Sequence, residues 1–308
     1  MSLRRKDMVP PNTLVIAPDY WTQADFPGER RQITAVGSSV ITIHEPLKGW
    51  QNVLGTIVLL PGWSGTRAGP ADLLVSLAST LAHAGWEVLR VEMPARGDSC
   101  GEFNDTDLDS MISTAAAASN LIGSGERLYY LGLCSGGNVA LGASTIRNPQ
   151  SAIRNNGVIA ISTLPFQPAR TQSFDNRRRW KNFKNYARKA LSPNTWARLV
   201  KGEINVDRVK KNVSAGEKPA SGERNLKDSS RDIEKDLLDW KGPGLFIWGS
   251  GDEEAPPART HFEKMHAAGM GAQSRVRFHK VIGANHNFYG KGWREEMVGE
   301  ILEFLETK

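Results

Sequence analysis

Short β-branched runs alternate with longer amphipathic runs along most of this chain, and that rhythm restricts the fold more than any other feature. The runs Ile33 to Val36, Val40 to His44, Thr56 to Leu60, Glu87 to Glu92, Leu128 to Leu133, Val158 to Ile161, Leu245 to Trp248 and Arg275 to Val281 read as strands. Between them, Leu73, Leu74, Leu77 and Leu81 recur at helical spacing and Gly85 supplies a stop signal. Leu108, Met111 and Ile112 follow Thr106 as a cap, and Trp293, Met297, Ile301 and Phe304 share one helical face. Strands and helices in turn predict an α/β fold, a mainly parallel sheet with helices on both faces. The 308 residues suffice for a full core, in one elaborated domain or two.

The rhythm breaks once. From Pro165 to about Asp239 the chain turns basic and aromatic, with Trp180, Phe183, Tyr186 and Trp196, then polar from Val213 to Ser230. Residues 170–231 hold 17 Lys or Arg against 6 Asp or Glu, a net charge of +11, whereas the remainder is −5. Such asymmetry marks a separate face with its own partner. The expected organisation is a core from 1–166 with an N-terminal arm, a basic helical cap insertion over 167–239, and the rest of the core over 240–308.

Composition removes several classes. With 40% hydrophobic and 23% charged residues the chain is neither disordered nor fibrous. No apolar stretch has the length of a transmembrane segment. Arg4-Arg5-Lys6 runs into Asp7, Pro10 and Pro11 instead of an apolar segment, so a signal peptide is not expected. Two cysteines, Cys100 and Cys134, are too few for a disulfide framework and lack the spacing of a zinc site. A reducing, cytoplasmic setting follows as the default. The basic insertion alone would motivate nucleic-acid binding, but no recognition motif accompanies it, so no nucleic acid is expected.

The sharpest local signal is Gly132-Leu133-Cys134-Ser135-Gly136, where a strand pattern turns into a helix pattern. This is a G-x-C-x-G box, a nucleophile elbow with cysteine in the serine position. A nucleophile in a strained strand-to-helix turn requires small residues two before and two after it, and glycine meets that need on both sides of Cys134. Were Ser135 the nucleophile, Leu133 would stand where a small residue belongs. The helix N-terminus also favours thiolate.

A general base and its orienting acid would stand on loops after later strands. After the Leu245 to Trp248 strand, Asp252 comes first, with Glu253 and Glu254 as competitors. After the Arg275 to Val281 strand comes His286. Of the other histidines, His44 and His279 fall within strands and His83, His261 and His266 on helical patterns, where structural roles suit them. Acyl transfer also needs donors for the developing oxyanion. Pro61-Gly62-Trp63-Ser64-Gly65 ends the third strand, so the N–H of Trp63 and that of Ser135 are the candidates. This chemistry calls for no metal and no organic cofactor. The insertion's Arg177, Arg178, Arg179 and Trp180 are candidate substrate-binding residues, suited to an anionic group or an acidic acyl carrier protein.

On these residues the chain resembles the α/β-hydrolases over about residues 30–166 and 240–306. Glu92-Met93-Pro94-Ala95-Arg96-Gly97-Asp98-Ser99 is similar to that family's D-x-x-G-x-G-x-S loop, with Glu92 and Ala95 departing from the usual Asp and Gly. Gly97 to Phe103, Asn185 to Lys189 and Trp196 to Gly202 resemble hydrolases associated with bacterial exosortase systems. The cysteine elbow is also similar to that of dienelactone hydrolases and polyhydroxyalkanoate synthases. The resemblance implies a Cys134-His286-Asp252 triad acting on a small-molecule ester or thioester through an acyl-cysteine. Alternatives are an acyltransferase using a coenzyme A or carrier-protein thioester, and a non-catalytic binding protein on the same fold.

Overall fold

The computed structural model describes residues 22–23, 30–47, 49–103, 106–121, 127–146, 156–166, 226–272 and 274–307. Among the described residues nine strands form one sheet: β1 (Thr22–Gln23), β2 (Arg30–Val36), β3 (Ser39–His44), β4 (Thr56–Leu60), β5 (Glu87–Val91), β6 (Leu128–Leu133), β7 (Gly157–Ile161), β8 (Gly244–Gly249) and β9 (Val276–Val281). Their spatial order is β1-β2-β3-β5-β4-β6-β7-β8-β9. From β5 to β9 every pairing is parallel, and the pairs β1·β2, β2·β3 and β3·β5 are antiparallel. The two-residue β1 is too short for any alternating pattern to announce it.

Period-two alternation assigns the two faces. Ile57, Leu59, Tyr129, Leu131, Leu133, Leu245 and Ile247 point to one side, where they meet α1 (Leu73–Ala84) and α6 (Lys291–Glu306). Leu73, Leu74, Leu77 and Leu81 of α1 are buried there, and Gly85 ends that helix with φ 104°. On the opposite side Phe246 and Trp248 stack at 5.9 Å and pack on Phe262 of α5 (Ala255–Ala267). This side also carries α2 (Leu108–Ala118) and α3 (Ser135–Ser144), with Gly142 of α3 closely approached by Ile112 of α2. The sheet is thus covered on both faces, as the sequence rhythm requires. The N-cap of α2 is Asp107, whose carboxylate accepts the N–H of Ser110 at 2.9 Å, and not Thr106, whose hydroxyl donates to the Glu102 carbonyl.

Contacts divide the chain into two units, residues 1–165 with 226–308, and residues 166–225. The insertion expected over 167–239 is therefore too long at its far end. Residues 226–239 are tied to the first unit: the Leu226 carbonyl accepts the N–H of Leu108 at 2.8 Å, and Asp109 accepts that of Ser230 at 2.8 Å. Ile233 and Leu237 of α4 (Ile233–Leu238) are buried. The polar run before Ile233 masks this short amphipathic helix in the sequence. No helix among the described residues is long and apolar enough to cross a membrane.

Candidate active site

The carboxyl ends of the parallel strands gather the candidate residues. Cys134 follows β6 directly and precedes α3, with φ 56° and ψ −121°, a conformation that costs a residue bearing a side chain on the order of 1–3 kcal/mol. Its surroundings explain the glycine spacing. A Cβ on Gly132 would fall on the Gly136 carbonyl, and one on Gly136 would collide with the carbonyls of Leu60 and Pro61. The turn is held by the Cys134 N–H, which donates to the Ile161 carbonyl at 2.8 Å.

His286 and Asp252 converge from the loops after β9 and β8. Two bonds lock those loops together: the Gly251 N–H donates to the Ala284 carbonyl at 2.8 Å, and the Gly283 N–H to the Ser250 hydroxyl at 2.7 Å. Asp252 is almost wholly buried, and its Oδ2 lies 2.5 Å from His286 Nδ1. The Glu254 N–H donates to the other oxygen of Asp252 at 3.2 Å, so Glu254 supports the carboxylate and Asp252 faces the histidine. Ligand atoms of Asp252, Glu254 and His286 lie within 4.8 Å of one another, the spacing a metal would need, yet two of the three are engaged in the carboxylate–imidazole bond.

Charge completes the arrangement. Burial pushes the Cys134 thiol up, but the hydrogen bond and charge of His286, with hydrogen bonds from the Ser135 side chain and backbone, together bring it below the ordinary thiol range. Burial depresses the His286 imidazolium, but its bonds to Asp252 and Cys134 and their charges raise it to about 10. Both shifts favour a thiolate–imidazolium pair at neutral pH. Ser135 begins α3, so the helix N-terminus as well as the imidazolium favours the charged sulfur.

Gly62 follows β4 by two residues, and a Cβ there would lie 3.5 Å from Cys134 Cβ, which brings the Pro61-Gly62-Trp63 turn against the elbow. Among the described residues the N–H of Trp63 donates to no acceptor, while its carbonyl accepts from Arg96 Nε at 2.9 Å. Arg177, Arg178, Arg179 and Trp180 lie outside the described residues, as do the insertion segments Asn185 to Lys189 and Trp196 to Gly202.

The five remaining histidines are engaged elsewhere. His44 accepts from Arg90, His83 bonds the Ser79 carbonyl, His261 meets Glu234, His266 meets the Met270 carbonyl, and His279 meets Glu296. Sequence reasoning missed Ser162. It ends β7 in a left-handed conformation, φ 50°, fully buried, and its hydroxyl donates to the His286 carbonyl at 2.8 Å. A serine one residue past a strand carries no sequence signal of that contact, which joins positions 124 residues apart. The two departures in the loop after β5 also find their places. Glu92 is buried and takes hydrogen bonds from Arg67 and from the Asp98 N–H, organising the loop, whereas Ala95 holds φ 61° where glycine would be unstrained.

A family model described as "Alpha/beta hydrolase family" matches residues 57–296. Solved structures share the fold. A dienelactone hydrolase from Anabaena variabilis aligns with 14% identity and a TM-score of 0.54, over 90% of this chain and 97% of that one. Est1E from Butyrivibrio proteoclasticus, solved with ferulic acid, aligns with 16% identity and a TM-score of 0.55, over 92% and 97%. A putative hydrolase from Agrobacterium vitis aligns with 16% identity and a TM-score of 0.54, over 90% and 98%. No curated protein matches the chain in sequence.

Proposed function

The chain belongs to the alpha/beta hydrolase family, and from that premise we propose that it cleaves an ester or thioester through an acyl intermediate on Cys134. The observation that carries this reading is the buried Asp252 at 2.5 Å from His286, at the same carboxyl end of the sheet as Cys134, whose thiol is brought below its ordinary range with His286 among the causes. Asp252 orients the imidazole, and the thiolate attacks the carbonyl carbon. The N–H groups of Trp63 and Ser135 donate to the oxyanion, each such donor being worth roughly 3–4 kcal/mol in the transition state. His286 returns its proton to the departing alcohol or thiol, leaving acyl-Cys134. It then takes a proton from water, which attacks the thioester and frees the carboxylic acid and the thiol.

The second nucleophile is where an acyltransferase enters. A cysteine acyl-enzyme has nearly the energy of a coenzyme A or carrier-protein thioester, so sulfur at position 134 favours exchange with such partners in a way serine would not. The basic stretch around Arg177, Arg178, Arg179 and Trp180 fits an anionic substrate or an acidic acyl carrier protein. The resemblance to exosortase-associated hydrolases belongs to the same reading. Steady-state kinetics on matched esters and thioesters test it: Cys134→Ala abolishes turnover, whereas Ser135→Ala, which keeps its backbone N–H, loses far less. Equal losses in the two variants overturn the assignment.

A further inference from the structure

Among the described residues Arg96 is a buried cation with no anion paired to it. It is 4% exposed, and two of its three guanidinium nitrogens are used: Nε donates to the Trp63 carbonyl at 2.9 Å and one terminal nitrogen to the Pro94 carbonyl at 2.8 Å. The other terminal nitrogen is buried and has no partner. The guanidinium lies over the Phe103 ring at 4.2 Å and over the Trp63 ring at 5.2 Å, and no carboxylate pairs with it among the described residues. Leaving a charged donor unsatisfied in a buried place is costly, and such groups call for an explanation. The catalytic anion does not provide one, because the Cys134 thiol responds to His286 and Ser135 and not to Arg96.

We propose that the free nitrogen of Arg96 receives a carboxylate carried by the acyl chain of the substrate, so that the enzyme acts on monoesters or monothioesters of dicarboxylic acids. The placement follows from Trp63. This residue offers its N–H to the reacting carbonyl in the mechanism above, and its own carbonyl is held by Arg96, so the guanidinium sits one residue away from the oxyanion donor. Only one nitrogen is free, and the guanidinium packs against two aromatic rings. Both features suit a small planar monoanion over a phosphate, which needs several donors and keeps its water. Phe103, 42% exposed, covers the guanidinium from outside, so its ring swings aside when the carboxylate enters.

This inference rests on Cys134 as the acyl acceptor, and two readouts keep the claims apart. The first compares kcat/KM for the p-nitrophenyl monoesters of succinate, glutarate and adipate with the butanoate, pentanoate and hexanoate esters of equal chain length. The native protein prefers at least one carboxylate ester by about 10-fold or more. Arg96→Met brings that ratio toward one, and Arg96→Lys restores part of it. No preference at any chain length, or an equal fall on both substrates in Arg96→Met, overturns the proposal and leaves Arg96 a clamp for Trp63. The second readout needs no turnover and no variant: free glutarate, and not pentanoate, slows alkylation of Cys134 by iodoacetamide in the native protein. Equal protection by the two acids also overturns it. If no ester acylates Cys134 but glutarate still protects it, the carboxylate site stands and the acyl-enzyme reading falls.

Discussion

The two ends of the parallel sheet are built differently. At the amino ends, turns that need a positive φ use glycine: Gly55 before β4, Gly85 before β5 and Gly271 before β9. At the carboxyl ends, Gly69, Gly97, Gly101 and Gly283 also have positive φ, but there residues with side chains share that conformation. Ala71 and Asp72 follow β4, Ala95 follows β5, Cys134 follows β6, Ser162 follows β7 and Phe288 follows β9, and these are all six such residues among those described. Each costs on the order of 1–3 kcal/mol that a glycine would avoid. Among the described residues, backbone strain on residues with side chains is thus confined to the end of the sheet where the candidate site is built. Of the six, Cys134 is the proposed nucleophile and Ser162 holds the loop of His286 through its carbonyl.

Substitutions at the two ends should separate accordingly. The largest effect is expected at the carboxyl end. Asp252→Asn should lower kcat about 100- to 10,000-fold because it leaves the imidazole in the wrong tautomer, and it should also cost stability at neutral and acid pH, where Asp252 supports the imidazolium. His286→Ala adds a pH signature. In the native protein the thiol stands below its ordinary range, so alkylation of Cys134 proceeds below pH 9 and falls as acid protonates the thiolate. Without His286 burial remains and its main opposition is gone, so the alkylation midpoint moves up. The raised imidazolium has the opposite sign for folding: it contributes stability below about pH 6.5, lost as pH rises toward about 10. A denaturation series across that range checks it.

At the other end, Phe304→Ala should cost about 3–5 kcal/mol of stability and leave the turnover of the folded fraction near native. Phe304 is fully buried, meets the Tyr129 ring edge at 6.2 Å and lies beneath the Arg275 guanidinium at 4.2 Å, far along α6 from His286. A large loss of turnover at native stability would break the division between the two ends. Ser162→Ala should cost about 1 kcal/mol for its hydrogen bond and lower kcat more than it raises KM, because His286 loses a tether. The smallest expected effect is a gain. Ala95→Gly relieves φ 61° and should raise stability by up to about 1 kcal/mol in chemical denaturation.

The division also accounts for what was legible in the sequence. Strands β4 to β8 announce themselves because burial on both faces demands nearly continuous apolar runs, and the edge strand β9 by its alternation; the observed bounds fall within about a residue of those read from the pattern. Cys134, His286 and Asp252 are legible because the elbow imposes glycines and because each residue stands just past a readable strand. Ser162 and Arg96 are not, since their contacts reach across the fold to His286 and Trp63 and leave no local spacing. The helix Ile233–Leu238 was assigned to the insertion because its single buried stripe, Ile233 and Leu237, is too short for periodicity to outweigh the polar run before it. The cap at Asp107 in place of Thr106 is a contest between adjacent cap formers that only geometry decides.

The central claim, that this hydrolase fold uses sulfur as its nucleophile, is tested most directly by intact mass spectrometry after brief mixing with a panel of esters and thioesters. The account predicts a mass gain of one acyl group, localised by peptide mapping to Cys134, absent in Cys134→Ala and longer-lived in His286→Ala once formed. An adduct on Ser135, or turnover by Cys134→Ala at the native rate, would contradict it.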